Sequence, residues 1–381
     1  MSLQSLILCS DDATMRVLRR VLGDLEIGVE HCTYADSAVS KLSRQRFEAV
    51  IVDGEDENMA ARVLTTLRSA PRNRHAIAVT LLNGPGAAQK AFEMGAHFVL
   101  NKPISFDRAR NSFRTARALM KCERRRHARV PVQIPVTVLS AESKGQEKTV
   151  TSDISEGGMA LQLSRQARKS GSIRIRFGLP ATSHVLECAA QVAWENAESQ
   201  AGIRFVDLSQ ESCDQLRVWL ARHSREIEQD DPPVSCRLTD LSPGGCYLEI
   251  TTPLPSGTRV KLLMKLPYGG ITVDGTVRIT HPEAGMGVEF THRTGPQREQ
   301  VEKFIQAFMS AKGELPQLEV QPDFLQDAAA SSPEGPSQPG AADSLLDLFS
   351  RSTGLTVQEF QAELQKQRGG RAKAARPSAS V

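Results

Sequence analysis

The sequence lacks the features that predict a membrane span, a disulfide framework or a metal site. No apolar run approaches the roughly 18–20 residues that a membrane-spanning helix needs. The seven cysteines are odd in number and scattered without a CxxC pair, which fits reduced cytoplasmic thiols. The eight histidines form neither HExxH nor HxxxH. A net charge of +3 over 381 residues argues against a protein that binds nucleic acid or a membrane surface as a whole.

The first 120 residues alternate short apolar runs with helical patterns. Met1–Cys9 is apolar without a basic leader, so it predicts a buried strand rather than a signal peptide. Ala49–Val52, Ala76–Thr80 and Phe98–Leu100 predict further strands, and Thr14–Leu25 predicts a helix. Continuous apolar strands separated by helices indicate a doubly wound parallel α/β domain over residues 1–120. In such sheets ligands bind at the carboxyl ends of the strands. The polar residues at those ends are Asp11, Asp53, Thr80 and Lys102.

A helix is predicted from about Ser105, with an apolar stripe at spacings of three and four. The stripe consists of Phe106, Ala109, Phe113, Ala116 and Met120. It suits packing on the domain's own sheet or a homodimer seam. No proline or glycine interrupts the pattern before Pro131, so we expect the helix to run into the basic cluster Arg124–Arg126.

From Val132 the pattern changes to short β segments, followed by a helix over about Gln210–His223, which predicts a small antiparallel barrel. An internal repeat follows. DISEGG at Asp153–Gly158 recurs as DLSPGG at Asp240–Gly245, and GIRF at Gly202–Phe205 recurs as GVEF at Gly287–Phe290. We therefore predict two related domains, residues 123–225 and 232–310, with the boundary near residues 230–233.

Residues 311–381 are rich in Pro, Gly, Ser, Ala and Gln and predict a disordered tail. Two short segments stand out, Ser344–Phe349 and Thr356–Gln367, and the second has apolar residues at helical spacing. Each segment could dock on a protein partner, or form a transient helix without a function.

The chemistry of two short motifs points to an anionic ligand that carries flat bases. Arg125 and Arg129 are four residues apart, and guanidinium groups bind phosphate oxygens and stack on purine rings. Asp153 can accept two parallel hydrogen bonds from a guanine edge. Ser155 can donate to a phosphate oxygen or brace the turn. Gly158, the last residue of the motif, allows close backbone approach.

These two motifs, ERRRHAR at Glu123–Arg129 and DISEGG, resemble the RxxxR and [D/N]xSxxG signatures of PilZ domains, bacterial receptors for cyclic di-GMP. The resemblance covers about residues 123–223 and implies a six-stranded barrel with a C-terminal helix. It also implies the ligand-binding residues, which are Arg124, Arg125, Arg129, Asp153, Ser155, Gly158 and Trp194. Trp194 matches a position where some members place a ring against guanine, although a core tryptophan is an equal alternative.

The second copy keeps Asp240, Ser242 and Gly245 but has no RxxxR ahead of them. The residues that precede it, Glu226–Asp231, are largely acidic and would repel a dinucleotide. We interpret this copy as a degenerate PilZ domain, kept for packing or dimerisation, and we expect it to lack the first strand.

The order of Asp11, Asp53, Thr80 and Lys102 resembles that of a response-regulator receiver domain. The resemblance implies that Asp53 is the phospho-acceptor, Thr80 the switch hydroxyl and Lys102 the phosphate contact. Asp11 and Asp53 would then hold Mg²⁺, and a histidine kinase would be a partner. The sequence departs from that pattern because Ser10 stands at the first acidic position and Gly54–Glu57 replaces the usual Met-Pro. Position 99 is Val99 where an aromatic residue is usual, unless Phe98 takes its place. A receiver without phosphorylation, used for protein contacts, therefore stays open.

Two functions follow from the sequence. The first is a cytoplasmic signalling receptor that binds cyclic di-GMP at the first PilZ domain and rearranges its domains or partners. The second is a phosphorylation-controlled regulator in which the PilZ parts are scaffold. We expect no enzyme, because GGDEF, EAL, HD-GYP and P-loop motifs are absent, and no nucleic-acid or membrane partner.

Overall fold

The computed structural model describes the chain in separate stretches that form two compact units. One unit comprises residues 123–229, and the other comprises residues 2–122 together with 230–381. The described residues are 2–84, 87–139, 146–163, 172–196, 200–223, 231–266, 269–291, 295–310, 317–325, 343–351 and 357–374. Among the helices of these stretches, none combines the length and the apolar character required to cross a bilayer.

The N-terminal residues form a five-stranded parallel sheet in the order β2-β1-β3-β4-β5. This order is that of the doubly wound fold of flavodoxin and CheY. The predicted α/β receiver-like domain is therefore confirmed. The strands are β1 (Leu3–Leu8), β2 (Ile27–Cys32), β3 (Ala49–Asp53), β4 (Ile77–Leu82) and β5 (Phe98–Asn101). The helices are α1 (Asp12–Asp24), α2 (Ala35–Arg44), α3 (Glu57–Ser69), α4 (Ala88–Glu93) and α5 (Phe106–His127).

Burial explains why these segments are strands. Every residue of β3 and β4 is buried, because helices cover both faces of the sheet and neither face meets water. Alternate side chains enter two separate apolar clusters: Ile51 belongs to one, and Val50 and Val52 belong to the other.

Helix α5 continues past the receiver-like domain and ends at His127, as the uninterrupted pattern predicted. Its apolar stripe is buried in the same cluster as strand residues of the sheet, with Phe113 1% exposed and Met120 fully buried. The stripe thus packs within the chain. The last turns of the helix carry Arg124–Arg126.

Residues 130–223 form the first barrel. Six strands close a ring in the order β8-β7-β10-β11-β12-β9, and β6 adds to the edge of β8. The pattern SIRIRFG in β10 alternates exposed and buried side chains, as a barrel strand requires. The strands are β6 (Val130–Pro131), β7 (Pro135–Leu139), β8 (Gln146–Ser155), β9 (Gly158–Gln162), β10 (Ser172–Gly178), β11 (Val185–Glu195) and β12 (Gln200–Phe205), and α6 (Gln210–His223) follows.

The second barrel also closes with six strands, in the order β13-β14-β17-β16-β15-β18. Its elements are β13 (Val234–Leu241), β14 (Gly245–Glu249), β15 (Thr258–Leu266), β16 (Gly269–His281), β17 (Gly285–Phe290), α7 (Gly295–Ser310) and β18 (Gln317–Leu325). Two antiparallel barrels behind an α/β domain are the predicted fold class.

Strand β18 corrects the prediction that all residues from 311 onward are disordered, and it fills, from the C-terminal side, the place of the first strand that the second copy was predicted to lack. It lies between β13 and β15, the place that β7 takes between β8 and β10 in the first barrel. Leu318, Val320 and Pro322 are buried and alternate with partly exposed residues. The run was hidden in the sequence because Pro322 demotes a strand pattern. It is tolerated here because it pairs at a bulge opposite Val260.

Two tail helices follow, α8 (Ser344–Arg351) and α9 (Val357–Ala374). Both tail segments that the sequence singled out are helical, and side chains from both enter one apolar cluster with residues of the second barrel. The rest of the predicted tail, residues 311–316, 326–342, 352–356 and 375–381, lies outside the described residues.

Candidate functional site

A row of four residues crosses the outer face of the first barrel over β8, β9, β12 and β11. Strand register pairs each residue with the next, and the row is Asp153, Ala160, Gly202 and Trp194. The row faces outward because Met159 and Leu161, which flank Ala160, point into the barrel core. The two middle residues are small, so the row has a flat centre between a carboxylate and an indole ring.

Arg129 lies at one end of this row. Its Nη1 donates to Oδ1 of Asp153 at 2.7 Å, and the two side chains are 48% and 25% exposed. Short strand β6 explains the meeting of the two motifs, because Pro131 pairs with Asp153 and Val130 with Ile154. Both charged groups keep solvent access, so a ligand can reach them.

Arg124–Arg126 lie just before the end of α5 and are partly buried. The amide of Ala128 donates to the carbonyl oxygen of Arg125 at 3.2 Å, which closes a tight final turn. The chain then enters β6, so Arg125 and Arg129 flank one turn of backbone.

The turn between β8 and β9 is fixed mainly by backbone contacts. The hydroxyl of Ser155, which is 7% exposed, donates to the carbonyl oxygen of Gly158 at 3.0 Å. Of its two predicted roles, Ser155 therefore takes the bracing one in this arrangement. A Cβ at Gly158 would lie 2.0 Å from the carbonyl oxygen of Ile203, so only glycine fits there.

Glu156, inside the same turn, is held by helix α6. Its Oε1 accepts from Nη2 of Arg217 at 2.5 Å and from Nε at 2.9 Å, and both side chains are largely buried. This ion pair connects the turn to α6, so the motif is held by the helix as well as by the neighbouring strands.

Trp194 is an exposed platform and not a core residue. Its ring lies against Gly202, where an added Cβ would be 2.1 Å from Nε1. Trp194 is nevertheless 42% exposed. A flat, accessible ring at the end of the row suits stacking on a base.

Sequence reasoning missed Arg204, which is exposed and pairs in register with Gly158. Its Nη2 donates to Oε1 of Gln191 at 3.0 Å, across the same outer face. A comparison of the two repeats could have singled out Arg204, because the charge at this position is reversed: the second copy has Glu289 at the corresponding place in GVEF.

The receiver-like domain brings Asp53 and Lys102 together at the carboxyl ends of β3 and β5. Lys102 Nζ lies 2.8 and 2.6 Å from the two oxygens of Asp53. Burial lowers the pKa of Lys102, but the hydrogen bond and charge of Asp53 outweigh it, and the net effect is a raised pKa. Thr80, also predicted at this edge, is fully buried, and its hydroxyl has no hydrogen-bond partner within the described part of the chain.

Asp11 is separate from this pair. Its carboxylate caps α1, accepting from the amides of Ala13 at 3.0 Å and Thr14 at 3.2 Å. The hydrogen bond from the Thr14 hydroxyl, followed by that from the Ala13 amide, lowers the pKa of Asp11. Cys9 instead contacts Asp53, with Sγ 3.4 Å from Oδ2, and burial raises the pKa of that thiol to about 11.

This donor set does not fit a magnesium ion. Magnesium prefers several oxygen ligands, but both oxygens of Asp53 contact Lys102, both oxygens of Asp11 cap a helix, and Cys9 stays a protonated thiol. Over the described ranges, no group of three or more His, Cys, Asp or Glu side chains is arranged to hold a metal. The arrangement of these side chains therefore does not support the expectation that Asp11 and Asp53 hold Mg²⁺.

The sequence model of the PilZ domain family matches residues 123–222 and 223–307. No curated protein matches the chain. Among solved structures, a putative response regulator from Chloroflexus aurantiacus J-10-fl is 21% identical, covering 30% of this chain and 98% of its own at TM-score 0.27. The receiver domain of a sensor histidine kinase from Pseudomonas aeruginosa PAO1, with a magnesium ion in its active site cleft, is 17% identical, covering 32% and 98% at TM-score 0.28. The PilZ domain of CeSA from a cellulose synthesizing bacterium is 26% identical, covering 25% and 92% at TM-score 0.20.

The first family match spans all strands of the first barrel and contains the complete arginine and Asp-x-Ser-x-x-Gly motifs, and the second match spans strands β13 to β17 of the second barrel. PilZ and receiver-like domains are modules of signalling proteins. The chain is therefore a signalling protein with two PilZ domains, residues 123–222 and 223–307, behind a receiver-like domain.

Proposed function

We propose that the chain is a cytoplasmic receptor for cyclic di-GMP and that, among the described residues, its first barrel holds the only site that binds this ligand. The observation that carries the proposal is the contact between Arg129 and Asp153 at the end of a flat outer row that finishes on Trp194. A cation, a carboxylate and an exposed ring on one face match a ligand with phosphates and guanine bases.

The roles divide by chemistry. Arg124, Arg125 and Arg129 bind phosphate oxygens and stack on guanine, because guanidinium is planar and always charged. Asp153 accepts from the guanine edge, and its present contact with Arg129 keeps the carboxylate oriented until the ligand arrives. Trp194 stacks on a base. Ser155 and Gly158 keep the turn in shape, and Arg204 adds charge beside it.

Ligand binding passes a signal by changing the arrangement of domains or partners. Helix α5 carries the buried stripe of the receiver-like domain and also Arg124–Arg126. A displacement of its last turn by the bound ligand is therefore transmitted along a single helix. The ligand shifts the arrangement only by its difference in affinity between the two states. We propose binding and not catalysis, with a histidine kinase and a second copy of the chain as candidate partners.

Calorimetric titration of the full chain with cyclic di-GMP tests this proposal. We expect micromolar or tighter binding, and a loss of about 10–100-fold in Arg129→Ala, because charge-assisted hydrogen bonds contribute roughly 1.5–3 kcal/mol. The control is Arg237→Ala, an exposed arginine of the second barrel paired with Glu249 at 3.6 Å, which should bind like wild type. Absence of heat and of competition with a labelled ligand would overturn the proposal.

A second candidate function is regulation by phosphorylation, with the barrels as scaffold. The contact of Lys102 with Asp53 favours it. So does Thr80 on the neighbouring strand β4, whose hydroxyl has no hydrogen-bond partner among the described residues. A carboxylate oxygen of Asp53 would attack the phosphorus of an acyl phosphate, and the acyl carboxylate would leave. The unfavourable donor set for magnesium speaks against it.

Labelling with radioactive acyl phosphate in buffer that contains magnesium separates the two functions. Under the second function we expect label on wild type, none on Asp53→Ala, and unchanged label on Asp24→Ala, whose carboxylate is exposed at the end of α1. An unlabelled wild-type chain would instead favour a receiver used for protein contacts alone.

A further inference from the structure

The second barrel carries the same outer row as the first. Register pairs Asp240 with Tyr247, Tyr247 with Gly287, and Gly287 with Ile279. Even the bulges correspond: one precedes the aspartate of each row and the other precedes its last residue. The row of the second barrel is therefore equivalent, position by position, to Asp153, Ala160, Gly202 and Trp194.

The second row keeps the aspartate and the glycine of the first row, and its other two residues differ. Tyr247 stands where the first barrel has Ala160, and Ile279 stands where it has Trp194. Glu289 replaces the cation Arg204 and pairs with Arg278. A bulky ring on the floor and an added carboxylate beside it disfavour a flat anionic ligand.

The tail covers this altered row. The ring of Phe349 lies over Gly287, where an added Cβ would be 2.6 Å from Cζ. In the first barrel, the barrel's own Trp194 lies over the equivalent Gly202. Leu345 and Leu348 are each 3% exposed in the same cluster as Tyr247 and Ile279. Helix α8 therefore lies on the surface that corresponds to the candidate ligand face of the first barrel.

The tail also contacts the turn that matches DISEGG. The Gly244 amide donates to Oδ2 of Asp343 at 2.9 Å, while Oδ1 of the same carboxylate accepts from the Leu345 amide at 3.1 Å. Asp343 thus caps α8 and binds the turn at once. Leu346 packs against Gly244 and Gly245, with added-Cβ distances of 2.6 and 3.4 Å.

Helix α9 adds a second layer to the contact. Phe360 is fully buried, with ring centroids 5.3 Å from Tyr247 and 4.5 Å from His281. The Tyr247 hydroxyl is 3.0 Å from Nδ1 of His281, so the polar atoms beneath Phe360 satisfy each other. Leu364, one turn further along α9, is 2% exposed in the same cluster.

We propose that the second PilZ domain is a peptide-binding domain, and that its ligand is this chain's own tail, residues 343–351 and 357–364. The ligand class is an amphipathic helix that begins with an aspartate cap, places leucines one turn apart and ends in phenylalanine. The inference goes beyond the receptor function, because it holds whether or not the first barrel binds a dinucleotide.

Hydrogen exchange of the full chain tests the docking. In wild type we expect protection of residues 240–247 and 343–351. In Phe349→Asp we expect at least about a tenfold rise in exchange rate for both, because burial of one aromatic side chain is lost. Ser350→Asp is the matched control, since Ser350 is exposed on the same helix. Equal exchange in wild type and Phe349→Asp would overturn the proposal.

A labelled peptide of residues 343–366 tests the ligand class. It should bind the Phe349→Asp chain with micromolar affinity, and the wild-type chain at least about tenfold more weakly, because the tail competes. Adding Gly287→Leu to Phe349→Asp should abolish peptide binding, since the new side chain fills the place of Phe349. Peptide binding that ignores Gly287→Leu would contradict the assignment.

Titration with cyclic di-GMP tests the alternative that the second barrel binds a dinucleotide and not the tail. In a chain with both Arg129→Ala and Phe349→Asp, we expect dinucleotide binding no stronger than in Arg129→Ala alone. Binding that appears only when the tail is displaced would mean that the second barrel is a masked nucleotide site, which overturns the peptide proposal. Failure of wild type to bind cyclic di-GMP would count against the receptor function and leave the peptide result standing.

Discussion

Gly158→Val is expected to unfold the first barrel. The Cβ would lie 2.0 Å from the carbonyl oxygen of Ile203, 3.1 Å from its carbonyl carbon and 3.2 Å from the Cα of Arg204. All three atoms are backbone of β12, and the register of Gly158 with Arg204 holds the two strands together. No rotamer change relieves such contacts. We expect the free energy of unfolding to fall by about 4 kcal/mol or more, a large part of the roughly 5–15 kcal/mol that stabilises a typical domain.

Trp219 reports the loss directly. It is 3% exposed in α6, and its Nε1 donates to the carbonyl oxygen of Pro180 at 2.9 Å. Unfolding should shift its fluorescence to longer wavelength. Gly157→Ala is the matched control, because a Cβ there meets nothing within 4 Å, and we expect a change below about 1 kcal/mol. Equal denaturation midpoints for Gly158→Val and wild type would refute the close approach of β9 and β12.

Lys102→Met is expected to destabilise the receiver-like domain strongly. It leaves the Asp53 carboxylate, which is 4% exposed, without its cation, and breaking a buried pair from one side costs about 3–5 kcal/mol. The double variant Lys102→Met with Asp53→Asn should recover most of this loss, because no buried charge is then left. Because both tryptophans lie outside residues 1–120, hydrogen exchange of β3 and β4 is the measurement.

Lys90→Met is the matched control for this pair. Lys90 contacts Glu57, but both side chains are more than half exposed, so we expect a loss of about 0–1 kcal/mol. The pH dependence has a definite sign. Since the folded pKa of Lys102 is raised above 10.5, the stabilisation is fully present below that pH and is lost as the pH rises through the folded pKa. Equal effects of Lys102→Met and Lys90→Met would contradict a buried pair.

Local patterns predicted most of the fold because burial sets them. The strands Ala49–Val52 and Ser172–Phe177 follow directly from a continuous and an alternating apolar pattern. The closing strand Gln317–Leu325 could not be found in this way. Its partners, β13 and β15, are distant in sequence, and no local feature indicates which strand fills a gap in a ring.

The sequence also predicted that the two motifs of the first barrel meet, but it could not predict the separate role of each side chain. Arg129 and Asp153 do meet, as the motif pair implied. That Ser155 is turned to Gly158, and that Arg204 lies exposed beside the turn, depend on side-chain direction within a closed barrel. The docking of Phe349 on Gly287 depends on a surface that exists only once the second barrel has closed.

Because of the position of β18, the two barrels can close at different points during synthesis of the chain. All strands of the first ring have left the ribosome once Phe205 has emerged, so that barrel can close early. The second ring must wait for Leu325, because Val234 finds its partner only in Val320. Until then β13 and β15 are open edges, which are sites of mispairing between nascent chains. A chain that ends between these two points contains every strand of the first ring but leaves β13 and β15 without the strand that joins them.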